Sequence, residues 1–581
     1  MPASIRKNKH YHEFETINIS AFGSSGTNSY LVPFLCPATF AYIFLGYNQG
    51  ISTYDEGLTV YGASQILDGA VLYRDIWSSY APGQYYLIAL AFRIFGELII
   101  VERMLSVFIN SMIVFSVFLL ARRLVPCRYA LFSWFLTLAL FTKYLMYGSP
   151  TTTALMLCLL SCLSLIKAFE TNYRKWWLLT GIFLGLTAIF RHDFGAYAFI
   201  AESMTVVLFS RIRVDAKDNA SGDKLVRRLH NYLYLVAGTT GMFVPVVALL
   251  LLNVDIKILF EDLILFPATV YSKVRAMPWP APCPNPLEVV RGQITIARFF
   301  RRTLQMFPPY MPAVFFLTAF HLLSRKRKKH AFNSPEILQS MLLLLGIVFF
   351  NYSCVGKGMV PQIILASVLL PAALYSFRNM HPSKCRTVFY SFTIFMALMA
   401  SLSFGRLFLH STGRKLNISR SSSQLVPLDI ERAWGMKLPQ KQAESLLKAM
   451  RCVQTITDPE EKIFVGTSRH DRLWANDVMF YFLVDRHNAT VYDDLCPGLV
   501  TTELVQREIV EDLLANRVRC IVLTNAFENF ERTNKSNESS GVVLLDNFIR
   551  EHYDETASFD CYSIGRINSK GEKKLLGKPA K

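Results

Sequence analysis

Two adjacent carboxylates, Asp55 and Glu56, stand about eight residues beyond the first long apolar run of this chain. A carboxylate placed there can take the proton of a hydroxyl nucleophile and so act as a general base. Such a base needs cations nearby to hold an anion as it departs. The sequence offers several: Arg191 and His192, followed by Asp193, after the fifth apolar run; Lys273 and Arg275 beyond the seventh; and Lys357 in a Gly-Lys-Gly turn. Arg74, Asp75 and Tyr80 lie between and could support them. Each has a plainer reading. Asp is a favoured helix N-cap and Glu suits a first helical turn. A lone basic residue at the end of an apolar run commonly snorkels to lipid headgroups. Arg74 and Asp75 suit an ion pair, and Tyr73, Trp77, Tyr80, Tyr85 and Tyr86 suit an interfacial aromatic belt. What favours chemistry is the gathering of these residues at one depth.

The elements that must position them are long and apolar. Of 581 residues, 52% are hydrophobic and 18% charged, where a soluble chain runs nearer a quarter charged. The apolar residues fall into about eleven runs of roughly 15 to 22 residues, close to the length a helix needs to cross about 30 Å of hydrocarbon. The runs are 31–47, 104–121, 129–146, 151–166, 176–190, 195–209, 232–252, 308–323, 337–352, 363–377 and 388–404. Ser334 and Pro335 give the ninth a clean start. Net charge is +18, from 61 Lys and Arg against 43 Asp and Glu. Much of the excess lies in alternate short loops: Arg122 and Arg123, Arg174 and Lys175, a cluster from Arg211 to Arg228, the block 325–329, and Arg378 to Arg386. That is the pattern of cytosolic loops, and it argues against a nucleic-acid partner. It predicts a cytosolic N-terminus (residues 1–29, without a cleavable signal pattern) and, after an odd number of spans, a C-terminus on the far side of the membrane. Residues 30–409 then form the membrane domain, with outer loops at 48–103 and 253–307, and residues 410–581 an extracytosolic domain.

The outer segments have their own signatures. Residues 84–95 are too short to span and too apolar for water, so they lie in the interface or dock on the bundle. Pro278, Pro280, Pro282, Pro284 and Pro286 alternate with other residues and enforce an extended, stiff strap. Beyond residue 461, strand-like stretches at 462–466, 489–492, 520–524 and 562–567 alternate with helical ones at 477–484, 502–515 and 542–551. This predicts a small α/β domain with a largely parallel sheet. It has no Gly-rich phosphate loop. The 11 cysteines form no paired Cys-x-x-Cys and so no structural zinc site; Cys452, Cys496, Cys520 and Cys561 suit disulfides in an oxidising compartment. Glycosylation sequons at Asn417, Asn488, Asn534 and Asn537 matter only in a glycosylating host. Glu202, inside the sixth run, is costly in hydrocarbon and calls for a buried partner that the sequence does not name.

After the acidic pair comes Gly69-Ala-Val-Leu-Tyr-Arg-Asp-Ile-Trp77, then Tyr80-Ala-Pro-Gly83 and the interfacial segment. This arrangement resembles the GT-C class of membrane glycosyltransferases, which includes the protein mannosyltransferases and the bacterial aminoarabinose transferase. The motif is confined to about residues 54–86, while the layout of spans, first outer loop and outer C-terminal domain covers the chain. The resemblance implies a sugar donor carried on polyprenyl phosphate, a glycan, lipid or protein acceptor outside the cytosol, and Asp55 as catalytic base with Glu56 as companion. Arg191, His192, Lys273, Arg275 and Lys357 would hold the donor phosphate. No cofactor is required by this chemistry, and a divalent cation is left open. A bacterial inner membrane is the expected location. The rival from another class is a transporter or flippase of lipid-linked sugars, which would place charges near the bilayer midplane and show repeated halves.

Overall fold

The computed structural model describes residues 31–141, 147–212, 221–326, 334–354, 358–380, 382–416, 424–473, 475–528 and 534–576. The segment 1–29, Lys357 and the Asn417 sequon lie outside them. Over its described residues each expected apolar run coincides with a helix: α1 (Leu31–Phe44), α4 (Ile99–Leu124), α5 (Cys127–Phe141), α6 (Pro150–Thr171), α7 (Arg174–Phe190), α8 (His192–Ile212), α9 (Ser221–Leu251), and then Val314–Lys326, Ser334–Cys354, Val360–Arg378 and Lys384–Lys415. In hydrocarbon a helix satisfies its own backbone groups, so apolar runs of this length fold no other way.

The expectation of about eleven spans is met only in part. Among the described residues five helices are long and apolar enough to cross a membrane, or six if Ile296–Met306 and Pro308–Ser324, bent by 56°, make one span. The bend falls at Pro308 and Pro309, where two backbone donors are missing. The apolar helices at Pro33–Phe44, Cys127–Phe141 and Ser334–Phe350 are shorter. Helices α7 and α9 approach through glycines. A Cβ at Gly181 would collide with the Leu235 carbonyl oxygen, and one at Gly238 would stand 2.5 Å from that of Leu178. Small residues commonly allow such contact between membrane helices. Glu202, fully buried, accepts from Ser161 Oγ at 2.5 Å, and Cys162 Sγ lies 3.7 Å away; both partners belong to α6.

Residues 48–103, the expected first outer loop, contain two helices, α2 (Asp55–Leu67) and α3 (Gly83–Phe95). Helix α3 buries Ile88, Ala89 and Phe92 and exposes Tyr86, Leu90, Ile94 and Phe95. It packs one face into a core shared with α2 and the C-terminal domain and leaves an apolar one exposed. The proline strap has no regular structure. It is pinned where Tyr310 Oη donates to the Pro280 carbonyl and where Trp279 meets Phe350, ring centroids 5.6 Å apart.

The C-terminal sheet is mixed, not largely parallel. A short antiparallel pair, β1 (Leu425–Pro427) and β2 (Lys437–Pro439), precedes a four-stranded sheet of β3 (Phe464–Thr467), β4 (Cys520–Thr524), β5 (Tyr553–Phe559) and β6 (Tyr562–Ile567) in the order β3-β4-β6-β5. Only β3 and β4 pair in parallel. Strand β5 was not expected. It follows the helix Leu544–His552 directly and returns as β6 through Asp560, held at φ 52°. Residues 489–492 form no strand, because Asn488 makes only an isolated bridge to Ile463. Cys452, Cys496, Cys520 and Cys561 are unpaired in this structure.

The outer loop and the C-terminal sheet share one core. Val60, Tyr61 and Ala63 of α2 and Ile88 and Phe92 of α3 bury against Met479, Phe480, Tyr481, Phe482 and Ile564. The Tyr61 and Tyr481 rings stack at 5.1 Å, and the Tyr61 hydroxyl accepts the Asn488 backbone N–H at 2.7 Å. A Cβ on Gly57 would collide with the Met479 backbone nitrogen, so that crossing requires glycine. The second outer loop joins the assembly through Trp77, whose indole donates to Asp262 at 3.0 Å while its backbone N–H donates to Val491 at 2.8 Å.

Candidate active site

The acidic pair divides its labour at the start of α2. The cap position is Tyr54, and no side chain caps the helix there, so Asp55 is not spent on capping. Its carboxylate is exposed and accepts the Tyr147 hydroxyl at 2.9 Å. Glu56 points the other way and is fully buried. Arg103 of α4 grips it with both arms, Nε to Oε1 at 2.5 Å and Nη2 to Oε2 at 2.6 Å. The same guanidinium donates to the carbonyls of Tyr47 and Gly50 at 3.1 and 3.0 Å, while Glu56 Oε2 accepts the Ser52 N–H at 2.9 Å. A bidentate buried pair of this kind fixes geometry. Here it fixes the turn between α1 and α2. Arg103 was missed in the sequence, where it reads as one charge at the start of an apolar run beside Glu102.

Arg275 comes from the second outer loop. It is buried between two phenols, with its guanidinium carbon 5.3 Å from the Tyr271 ring centroid and 5.8 Å from that of Tyr54, and it reaches the Tyr54 hydroxyl at 3.5 Å. Burial opposes its charge, yet Tyr271, Tyr54, Cys496 and Asp494 more than compensate, and its pKa is raised. The Asn534 side chain reaches toward the Arg275 carbonyl at 3.4 Å. This sequon asparagine is therefore buried against the loop.

Tyr54 also donates to Oδ1 of Asp494 at 2.6 Å, which brings a carboxylate of the C-terminal domain into the site. Burial pushes Asp494 up to about 6; Tyr54 and Arg275 pull it down, and Asp55 adds to the rise. Asp493 is pushed up to about 7 by burial, against the Asn488 hydrogen bond and with the charge of Asp494. Neither acid was singled out in the sequence. An Asp-Asp pair in a predicted loop carries no signal of where that loop docks.

Arg191 sits at the junction of α7 and α8. It donates to both oxygens of Asp193 at 2.9 and 2.7 Å and to Thr151 Oγ1 at 3.1 Å. Its guanidinium carbon lies 5.0, 5.2 and 6.0 Å from the ring centroids of Phe194, Tyr352 and Tyr80. Tyr80, half-buried, is within electrostatic reach of Tyr271, Asp55, Arg191 and Asp494. Asp55, Tyr80, Arg191, Arg275 and Asp494 thus converge from the first outer loop, the second outer loop, the bundle and the C-terminal domain.

The other candidates are His192, Lys273, Arg74, Asp75 and Lys357. His192 is half-buried at the first position of α8, and Lys273 is exposed, two residues from Arg275. Arg74 and Asp75 form an exposed ion pair at 2.7 Å, with Asp75 also accepting the Val71 N–H at 2.8 Å, so they close a surface turn. Lys357 is outside the described residues. Among those described, no group of three or more His, Cys, Asp or Glu is placed to hold a metal ion.

A family model described as dolichyl-phosphate-mannose-protein mannosyltransferase matches residues 79–217, which carry Tyr80, Arg103, Tyr147 and Arg191. No curated protein matches the sequence. Among solved structures, ArnT from Cupriavidus metallidurans bound to undecaprenyl phosphate superposes with a TM-score of 0.56 at 12% identity, over 95% of this chain and 100% of that one. Its apo state gives 0.53 at 11% identity, over 96% and 100%. With the mannosyltransferase pattern on residues 79–217 and the whole length of ArnT matched in three dimensions, this chain has the fold of the GT-C membrane glycosyltransferases.

Proposed function

We propose that this protein transfers a sugar from a polyprenyl-phosphate carrier to a glycan, lipid or protein hydroxyl on the extracytosolic side of a membrane. The observation that carries the reading is one exposed carboxylate, Asp55, facing the same cluster as two buried guanidiniums, Arg275 and Arg191. Asp55 takes the proton of the acceptor hydroxyl as that oxygen attacks the anomeric carbon. The bond between that carbon and the phosphate oxygen breaks, and the electron pair leaves with the phosphate. Phosphate is stable as an anion, so the leaving group needs cations and no acid. Arg275 is the principal partner, with Arg191 beside it, and Lys273, His192 and Lys357 are further candidates on the same outer face. Glu56 acts by holding the turn that presents Asp55. The undecaprenyl phosphate bound to ArnT from Cupriavidus metallidurans supports a lipid-phosphate donor here.

In this reading all eleven apolar helices cross the bilayer, the N-terminus is cytosolic and residues 410–581 face outward, in a bacterial inner membrane. The test is to reconstitute the purified full chain in vesicles and supply a panel of polyprenyl-phosphate sugars, following release of polyprenyl phosphate. Turnover of one donor that disappears in Asp55→Asn is expected. A wild-type protein that consumes none of the panel, or an Asp55→Asn variant that works normally, overturns the reading.

A further inference from the structure

Tyr147 has no part in the chemistry above, yet it is the residue whose hydroxyl meets the base. It lies just before α6, and its Oη donates to Asp55 Oδ2 at 2.9 Å. The next residue, Gly148, donates its backbone N–H to Oε1 of Glu102, a fully buried residue of α4. Ser106 Oγ donates to the same oxygen at 3.0 Å. Gly148 has no room for a side chain: a Cβ there would stand 2.6 Å from Glu102 Oε1 and 2.7 Å from Gln84 Nε2. The backbone is pressed onto Glu102. On α4 the neighbour of Glu102 is Arg103, which grips Glu56. Two consecutive residues of one helix therefore anchor both halves of the pair, Arg103 the turn that carries Asp55 and Glu102 the loop that carries Tyr147.

We propose that Tyr147 is a positioning residue for Asp55 and that Glu102 holds Tyr147 in place to do it. The proposal rests on the reading of Asp55 as the base. A hydroxyl donated to the ionised carboxylate fixes its rotation and favours the charged form, which is the form that accepts a proton. Besides Tyr147, the titratable groups in electrostatic reach of Asp55 among the described residues include Tyr80, Tyr271, Tyr352 and Asp494, from the first loop, the second loop, the bundle and the C-terminal domain. Tyr147→Phe leaves all of them in place and removes one oxygen.

The test uses the full-length protein in detergent and two readouts. The first needs no donor: infrared difference spectra are recorded across pH, and the Asp55 carboxyl band is assigned by its loss in Asp55→Asn. In Tyr147→Phe the titration midpoint of that band is expected to rise by about one pH unit, the scale of one hydrogen bond to a charged group. Glu102→Ala is expected to move it the same way, and the double variant no further than Tyr147→Phe alone. The second readout is transfer from whichever polyprenyl-phosphate sugar the wild type consumes. Here kcat/KM is expected to fall about tenfold on the acid side, with the acid limb moved to higher pH and the donor KM within about twofold. An unmoved midpoint in Tyr147→Phe, or a loss of rate equal at every pH, overturns the proposal. A wild type that consumes no donor removes the transferase reading, while the infrared midpoint still decides whether Tyr147 tunes Asp55.

Discussion

At the scale of single residues, Asp55 and Glu56 look alike in sequence and do different work. On the proposed reading Asp55→Asn keeps size and shape but removes the base, and a fall in turnover of about 10² to 10⁴ is expected with normal membrane insertion and an unchanged unfolding temperature. Glu56→Ala should do the reverse of a clean active-site change. It strands the Arg103 guanidinium in a dry site, and removing one partner of a buried pair costs about 3 to 5 kcal/mol. Thermal unfolding in detergent should show that loss. An unfolding temperature equal to that of the wild type would mean that Arg103 finds another partner.

At the scale of elements, the site depends on how closely α2 meets the helix Met479–Val484. Gly57 is the contact point, and a Cβ there would overlap the Met479 backbone nitrogen. Gly57→Val is expected to separate the two, costing at least the roughly 1 to 3 kcal/mol typical of overpacking, with limited proteolysis showing earlier cleavage of the C-terminal region. The loop carrying Asp493 and Asp494 packs at the same junction and adds a pH dependence. Both acids have folded-state pKa values raised above the ordinary 3.8, to about 7 and about 6. Between about pH 4 and pH 7 the folded protein therefore holds more protons than the unfolded chain. Stability is greatest below that window and declines as pH rises through it, by at most about 1.4 kcal/mol per pH unit for each group. Thermal unfolding followed from pH 5 to pH 8 should show the decline, and Asp493→Asn should flatten it.

At the scale of the whole molecule, the C-terminal domain is part of the candidate site. It contributes Asp494 to the cluster and most of the core that encloses α2 and α3. Ending the chain at residue 416 is therefore expected to abolish transfer from every donor and to any acceptor, and to lower the unfolding temperature of the membrane domain. A truncated protein that kept its donor turnover and lost only its acceptor preference would show that the domain serves recognition alone.

The apolar runs by themselves dictated the helices, because a segment without water must satisfy its own backbone, and every expected run coincides with one. Arg191 was singled out because a charge at the end of an apolar run stands out against its neighbours, Asp55 because it pairs with Glu56 beyond such a run, and Arg275 because it stands with Lys273 beside the proline strap. What a run cannot state is whether it crosses the bilayer, so the count of eleven exceeds the five or six helices that, among the described residues, meet the length and hydropathy requirement. Nor could local pattern foresee the antiparallel return of β5 onto β6, which depends on a two-residue turn at Asp560 and Cys561. The partners of the site were the least legible part. Arg103 on Glu56, Tyr147 on Asp55 and Asp494 on Tyr54 join positions separated by 47, 92 and 440 residues. Sequence alone determined which residue types flank the apolar runs; only the packing of α2 against α4, residues 147–148 and the C-terminal domain decided which of them touch, because contacts so distant along the chain are set by tertiary packing and not by local pattern.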